Sequence, residues 1–529
     1  MKIDCIRVFC LLVLMVVGSS CLKKLDQFPK NDQTAFTVFA TQEGYKQGLA
    51  KLYASMVLTG SPVRDVPREI VNDEGSTDFL RQYWYLQCLS TDEAGWTWSD
   101  KTSPIGIHQM AWSASSQTVA GLYYRCYYTI AICNNYISET TDEKLISRGF
   151  GAEQVQQLKQ YQAEARFLRA FNYWVLLDNF GAVPFTDEKY IVGSGVLPKQ
   201  MTKVDLFKYI ETELKGIEEQ LVDAKDNEYG RVDKATAWAL LARLYLNAEV
   251  YIDQDKYNAA IENAGKVIQS GYTLHSDYRQ LMLADNEKLG KTEFIWTLRF
   301  DGTNTQTYSG TTFLVHAPAG VPGSVSGTNG SWDGIRMTEQ FVALFDTTKD
   351  VRGQFWSKTQ TLEMDVLVGN ARSGYSSYKF RNLRQDGSVG HNTDASGTFV
   401  DVDFPIFRLA EMYLIYAEAH LRGGGGDGAI ALNYLQMLAK RARPDDLQPE
   451  LIPKLSLGYI IDERGRELFW EGHRRTDLIR FGLFTSSTYL WSWKGGTRNG
   501  RAVDAKYSLY PIPDTDLSAN KNLIQNLGY

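Results

Sequence analysis

Residues 234–270 read KATAWALLARLYLNAEVYIDQDKYNAAIENAGKVIQS, and their pattern is the clearest guide to the architecture. Apolar residues recur at the three- and four-residue spacing of a helix over residues 234–249 and again over residues 256–270. A short polar turn separates the two segments, which predicts a hairpin of two α-helices. Small side chains would let these helices approach closely, namely Ala237, Ala242, Ala248, Ala259, Ala260 and Ala264.

Similar helical spacing extends outward in both directions from this hairpin. It covers residues 119–138, 156–180, 203–221, 407–421, 428–441 and 457–481. The segments 407–421 and 428–441 form a second close pair, with Gly423–Gly426 between them as the helix stop. Hairpins of this kind are typical of tetratricopeptide repeats, which bury a shared core only when they are stacked. The sequence therefore predicts a mainly α fold of stacked tetratricopeptide-like helix pairs.

Three long stretches between the helical segments lack helical spacing: residues 60–116, 273–337 and 358–405. They are rich in Gly, Ser, Thr, Asn, Tyr and Trp. Long loops in compact proteins usually carry function, and disordered segments are typically poor in aromatic residues. We therefore predict a loop-rich face with short minor β-strands, laid on the helical scaffold, and expect the functional site there.

The N-terminus has the layout of a secretory signal peptide. Lys2 and Arg7 are followed by an apolar run over residues 8–17, which is too short to span a bilayer. Residues 18–21, GSSC, are similar to a bacterial lipobox, although Gly18 stands where an aliphatic residue is usual. We predict that residues 1–20 are removed and that Cys21 carries lipid. The alternative is an ordinary signal peptide in which Cys21 has no role.

Composition and motifs exclude several functional classes. The formal net charge of -6 makes the chain a poor candidate for nucleic-acid binding. The sequence has no nucleotide P-loop, dinucleotide-binding glycine fingerprint, G-x-S-x-G elbow or C-x-x-C motif. Its six histidines are scattered and none forms the closely spaced ligand pair of a zinc site. We predict no catalytic residue and no required cofactor.

The strongest charged pattern lies at residues 461–482, IDERGRELFWEGHRRTDLIRFG. Glu463, Glu467 and Glu471 recur every four residues beside several arginines. Two of these carboxylates could be the acid and the nucleophile of a glycosidase. Like charges at this spacing, next to so many arginines, are more simply explained as a structural ion-pair network, which is the interpretation we favour.

Aromatic residues form a second pattern, in the predicted loops. Residues 91–99 read TDEAGWTWS, and in an extended segment Trp96 and Trp98 would point the same way and form an exposed flat surface. Tyr308 and Trp332 also stand in turn-like sequence. Pyranose rings stack on such side chains through their apolar faces, while polar groups bind the hydroxyls. The alternative for each tryptophan is that it fills a gap between loop and scaffold.

Motifs along the whole chain resemble the SusD/RagB outer-membrane lipoproteins of Bacteroidetes. They are CLKKLDQFP at residues 21–29, EARFLRAFNYWVLLDNFGAVPF at 164–185, PIFRLAEMYLIYAEA at 405–419, the charged segment 461–482, and YPIP with NLIQNLGY at the C-terminus. The resemblance implies one domain over residues 21–529, with intergrown parts at about 21–230 and 231–529. It also implies a scaffold role for the glutamates and a surface lipoprotein above a SusC-like, TonB-dependent transporter.

Within that family the resemblance is to starch-binding members, through DEGSTDFLR at residues 73–81 and TDEAGWTW at residues 91–98. It implies a carbohydrate-binding site in which Lys101 stands in place of an asparagine. The other implied site residues are Arg81, Trp96, Trp98, Tyr308 and Trp332. A curved arc of aromatic rings suits the bend of an α-1,4-glucan better than a flat β-linked chain.

Three carboxylates, Glu287, Asp401 and Asp403, resemble the ligands of a structural calcium ion. Three other functions stay open alongside the starch-binding prediction. The chain could be a secreted glycoside hydrolase, a tetratricopeptide adaptor that binds peptides, or a binder of a different glycan in the same uptake role.

Overall fold

The computed structural model describes residues 35–59, 77–99, 104–191, 193–446 and 455–529. The chain divides into two compact units, Met1–Gly48 and Leu49–Tyr529. The predicted signal peptide, Cys21 and Lys101 lie outside the described residues. Within the described ranges, no helix is both long enough and apolar enough to cross a membrane.

Helices dominate the described residues, which confirms the predicted mainly α fold. The helices up to residue 269 are α1 (Ala35–Val38), α2 (Gln42–Ala54), α3 (Phe79–Trp84), α4 (Pro104–His108), α5 (Gln117–Glu139), α6 (Asp142–Ser147), α7 (Ala152–Phe180), α8 (Lys203–Ile217), α9 (Lys234–Leu246), α10 (Ala248–Ile252) and α11 (Tyr257–Gln269). Those that follow are α12 (Asn286–Leu289), α13 (Gly310–His316), α14 (Gly323–Ser326), α15 (Glu339–Val342), α16 (Leu409–Leu421), α17 (Gly428–Ala442), α18 (Leu457–Leu468), α19 (Arg474–Arg480) and α20 (Asp514–Ala519).

The predicted helical hairpins are present and are stacked. Helix α9 packs against α11, α11 against α16, and α16 against α17, so that the two predicted pairs share one core. Ala260 and Ala264 are fully buried in α11, which lets its neighbours approach closely. In the N-terminal part, α5 packs against α7 and α7 against α8. Asp233 begins α9 by accepting a hydrogen bond from the backbone N–H of Thr236 at 2.9 Å.

The predicted helix over residues 457–481 is two helices. Helix α18 ends at Leu468 and α19 begins at Arg474, because Trp470 and Gly472 between them have positive φ values of 62° and 82°. A Cβ atom on Gly472 would lie 2.4 Å from the ring of Tyr83, so this turn requires glycine. The apolar spacing of the sequence continues across this break, so it does not reveal that the backbone changes direction there.

The predicted loop-rich stretches contain short helices as well as strands. Residues 60–116 contain α3, the π-helical turn Tyr85–Leu89 and α4, so the prediction of loops and short strands alone is wrong in part. The strands are β1 (Gly95–Trp96), β2 (Val183–Pro184), β3 (Gln200–Met201), β4 (Phe294–Leu298), β5 (Ile335–Arg336), β6 (Phe355–Trp356), β7 (Ser376–Ser377) and β8 (Phe404–Arg408). They form antiparallel pairs, β1 with β5, β2 with β3, β4 with β8, and β6 with β7.

The glutamates of the charged segment lie in a buried ion-pair network, which confirms the structural interpretation. Glu467 is fully buried and contacts Arg408 at 2.5 Å, Arg352 at 3.0 Å and Arg441. Burial raises the pKa of the Glu467 carboxyl, but the three guanidinium groups outweigh it and hold that pKa well below its ordinary value. The carboxylate is therefore fixed as a charged ligand of three arginines.

The rest of this network joins elements that are far apart in the chain. Arg408, at the end of β8, also contacts Glu293 at 3.0 Å and Glu471 at 2.7 Å. The remaining pairs are Arg441 with Glu293 at 2.6 Å, Arg352 with Glu463 at 2.7 Å, and Lys379 with Glu471 at 2.6 Å. Strand β8 and helices α17 and α18 are thereby fixed to one another.

We expect Glu467→Gln to lower the free energy of unfolding by about 3–5 kcal/mol, because it removes the one carboxylate charge that three buried arginines share. Urea unfolding at pH 7, followed by circular dichroism, measures this change. Glu262→Gln is the control, since Glu262 is exposed and lies 3.7 Å from Lys266, and its effect should stay within about 0.5 kcal/mol. Equal losses in the two variants would contradict this role for Glu467.

Candidate carbohydrate-binding site

The loop that carries the two predicted tryptophans is anchored by its acidic residues. Asp92 is buried and contacts Arg474 at 2.7 Å. The carboxylate of Glu93 accepts a hydrogen bond from the backbone N–H of Trp470 at 3.2 Å, and its carbonyl accepts one from the Trp470 indole at 3.1 Å. These contacts attach the start of the loop to the turn between α18 and α19. The acidic pair is therefore structural.

Trp98 lies just after β1 in the chain. Strand pairing of β1 with β5 brings the two segments together. The indole of Trp98 lies over Gly334, where an added Cβ would be 2.7 Å from the ring. The indole N–H of Trp98 donates to the backbone carbonyl of Trp332 at 2.8 Å. Two of the predicted aromatic residues are thus in direct contact.

Tyr308 completes the group from a third segment. Its ring centroid lies 6.2 Å from that of Trp332, with 41° between the ring planes. The ring of Phe399 also contacts Tyr308 edge-to-face, with the centroids 5.1 Å apart. Trp98, Tyr308 and Trp332 are each partly exposed, and we call these three residues the aromatic surface.

Arg81 lies beside the aromatic surface, on α3. Its Nη1 donates to the backbone carbonyl of Tyr308 at 3.3 Å and its Nε to the hydroxyl of Tyr85 at 2.7 Å. Its guanidinium also lies 4.2 Å from the centroid of Phe313. The structure thus places the half-buried Arg81 next to the backbone of Tyr308, which it helps to fix.

Trp96 is not part of the exposed surface, and the prediction that both indoles are exposed is wrong for it. Only 1% of Trp96 is exposed. Trp98 covers it edge-to-face at 4.8 Å and Tyr85 does so at 5.6 Å. Trp96 and Trp98 meet as their spacing predicts, but pairing of β1 with β5 directs Trp96 into the core. In this conformation Trp96 supports Trp98 and has no free face for a sugar.

Arg336, in β5, is a supporting residue that sequence reasoning missed. It is fully buried, and its sequence context, GIRMT, gives no sign of this role. Burial lowers its pKa to about 10, so it stays charged at neutral pH. It donates to the backbone carbonyls of Trp96, Val366, Leu367, Asn370 and Ser373. Arg336 therefore ties the residues 366–373 to the tryptophan loop.

The predicted calcium ligands Glu287, Asp401 and Asp403 are not assembled into a metal site. Among the residues that the structure describes, no three His, Cys, Asp or Glu side chains are grouped so that they could hold a metal ion. Asp403 accepts a hydrogen bond from the backbone N–H of Phe300 at 2.8 Å, and Asp401 accepts one from that of Asn392 at 3.0 Å. Their carboxylates serve local backbone contacts, and calcium binding stays a prediction.

Two sequence profiles match the chain. The one described as "SusD family" matches residues 353–529, and the one described as "Starch-binding associating with outer membrane" matches residues 26–246. The starch-binding protein SusD of Bacteroides thetaiotaomicron is 34% identical to this chain, over 97% of this chain and 96% of that protein. This chain belongs to the SusD family.

More distant relatives and solved structures are also similar to this chain. SusD-like protein P25 of Formosa agariphila is 23% identical, over 99% of this chain and 98% of its own. A SusD homologue of Bacteroides thetaiotaomicron superposes with a TM-score of 0.73 at 21% identity, over 94% of this chain and 99% of its own. Surface glycan-binding protein A of the same organism, solved in complex with laminarihexaose, gives a TM-score of 0.71 at 20% identity, covering 92% and 99% of the two chains.

SusD-family membership does not by itself assign the aromatic surface. Trp98 lies within the residues that the starch-binding profile matches, whereas Tyr308 and Trp332 lie between the two matched ranges. The β1–β5 pairing brings Trp98 and Trp332 together, and Tyr308 joins them from a third segment. Their interpretation as a candidate site therefore depends on geometry in addition to the family.

We expect Gly334→Ala to displace the indole of Trp98, because the new methyl group would overlap the ring. Iodide quenching of tryptophan fluorescence and near-ultraviolet circular dichroism should both change. Gly265→Ala is the control, since nothing lies within 4 Å of the added atom in α11. Unchanged spectra and quenching in the Gly334 variant would show that Trp98 does not rest on this glycine.

Proposed function

We propose that this chain captures starch-like α-glucan oligosaccharides on the aromatic surface, without catalysing their cleavage. The observation that carries the proposal is the convergence of Trp98, Tyr308 and Trp332 from separate segments on one partly exposed surface. Pyranose rings present apolar faces that stack on such side chains. The name of the 34% identical relative, a starch-binding protein, supports the same ligand class.

The angle between the rings of Tyr308 and Trp332 favours a bent glycan over a flat one. Tyr308 and Trp332 are inclined by 41°, so successive stacked sugars would have to turn relative to each other. An α-1,4-linked glucan curves in this way, whereas a flat β-linked chain would contact one ring and leave the next. We therefore propose an α-glucan rather than a flat β-linked glucan.

The buried carboxylates support a binding protein rather than a hydrolase. Glu463, Glu467 and Glu471 are at most 3% exposed, and each contacts arginine or lysine side chains. A glycosidase needs two carboxyl groups that flank the scissile bond. Incubation of the purified chain with amylopectin should release no reducing ends.

We also propose that Cys21 carries a lipid anchor, that the chain faces the cell exterior, and that it delivers glycan to a SusC-like, TonB-dependent transporter. The lipobox-like residues 18–21 support the anchor. The profile description, "Starch-binding associating with outer membrane", supports the location. Capture followed by transport gives a role to a protein that binds a glycan without cleaving it.

Trp332→Ala should weaken binding of maltoheptaose roughly 30-fold or more, because a central stacking residue typically contributes about 2 kcal/mol or more. Isothermal titration calorimetry measures the affinity. Trp238→Ala is the control, since Trp238 is a partly exposed tryptophan on α9 whose indole donates to Glu218. It should bind as the wild type does.

Two results of this titration would contradict the proposal. Unchanged affinity in Trp332→Ala would remove Trp332 from the site. Tighter binding of laminarihexaose than of maltoheptaose by the wild-type chain would reject the preference for α-glucan.

Cys21→Ser should abolish membrane association and labelling by radioactive palmitate, because the serine hydroxyl cannot take the thioether-linked lipid. Fractionation of cells that express each variant measures both. Cys10→Ser, within the predicted signal peptide, should keep the label. Palmitate on the Cys21 variant would show that the anchor lies elsewhere.

A further inference from the structure

His316 supports the indole of Trp332 from behind. It is the last residue of α13 and is fully buried. Its ring lies parallel to that of Trp332, with the centroids 4.5 Å apart and the planes inclined by 10°. The backbone N–H of Trp332 also donates to the carbonyl of His316 at 2.7 Å. One face of this aromatic-surface residue is therefore set by a histidine.

Both ring nitrogens of His316 face backbone carbonyl oxygens. Nδ1 lies 2.6 Å from the carbonyl oxygen of Gly330, and Nε2 lies 2.8 Å from that of Thr398. Carbonyl oxygens only accept hydrogen bonds, and a neutral imidazole donates from one nitrogen alone. The two hydrogen bonds therefore form together only when the ring is an imidazolium. In that state it bridges the segment of Trp332 to the segment of Thr398.

Burial and the neighbouring polar groups shift the pKa of His316 in opposite directions. Burial is the largest influence and holds the pKa of His316 below its ordinary value, while the two carbonyls and the carboxylate of Asp394 act to raise it. Asp394 accepts from the backbone N–H groups of Thr398 and Phe399, at 2.8 and 2.7 Å. Asp333, next to Trp332, is exposed and accepts from Gly320 at 2.6 Å. Helix α13 carries no other charged residue.

We propose that protonation of His316 positions Trp332. The imidazolium joins Gly330 to Thr398 and holds Trp332 in place for stacking on the glycan. When the ring is neutral, one nitrogen lone pair faces a carbonyl oxygen, and the bridge loses a hydrogen bond. Glycan affinity is then greater at mildly acid pH than at neutral pH. The link to glycan affinity rests on the proposed function.

The first test needs no glycan. The ¹⁵N indole signal of Trp332, assigned by its absence from Trp332→Ala, is followed between pH 5 and 8 in folded wild-type chain and in His316→Gln. The wild type should show a one-proton step centred below pH 6.5, and the variant, whose amide cannot take up the proton, should show none. A missing wild-type step, or the same step in His316→Gln, would overturn the proposal.

The second test measures maltoheptaose affinity over the same pH range. Loss of one hydrogen bond should weaken wild-type binding by roughly threefold to tenfold between pH 5 and 7.5. His316→Gln should show no such dependence, and His316→Phe, which keeps the stacked ring without its hydrogen bonds, should be weaker and equally independent of pH. His420→Gln, on the scaffold helix α16, is the control and should keep the wild-type profile.

The two tests separate this inference from the proposed function. A wild-type chain that shows the Trp332 step but binds no glucan at any pH supports the positioning of Trp332 and overturns the proposed function. If His316→Gln shows the same pH-dependent affinity as the wild-type chain, the proposed function stands and the proposed role of His316 is overturned.

Discussion

The buried ion pair between Arg408 and Glu467 is the contact on which the rest of the structure depends. Both residues are at most 1% exposed, and a buried charge without a partner is strongly destabilising. Arg408 ends β8 and Glu467 lies in α18, while Arg441 reaches the same carboxylate from α17. Because these charges must meet within hydrogen-bonding distance, the strand and the two helices have one arrangement.

The candidate site takes its position from this network. Glu471 contacts Arg408 and Lys379 just beyond α18, in the turn that also contains Trp470. Trp470 donates a hydrogen bond to Glu93, and Arg474 forms an ion pair with Asp92. Both acidic residues lie at the start of the tryptophan loop. The chain leads from there into β1 and Trp98. The buried ion pairs of the scaffold thus determine where the aromatic surface lies.

Much of the scaffold and part of the site could be predicted from the sequence. Helical periodicity identified the long helices, because each must bury one face, and the arginines identified Glu467 as structural. The break at Trp470 depends on backbone dihedral angles, which periodicity does not record. Burial of Trp96 follows from long-range strand pairing. The role of His316 depends on two carbonyls, those of Gly330 and Thr398, that no side-chain pattern marks.

The shared fold does not determine which sugar is bound. One solved structure with this fold contains laminarihexaose, whereas the 34% identical relative is named for starch. We propose that the aromatic surface determines which sugar is bound. The most direct measurement is a crystal structure of the chain with maltoheptaose. We predict successive glucose rings stacked on Trp98, Trp332 and Tyr308. Oligosaccharide bound elsewhere, with these three rings uncovered, would contradict the central claim.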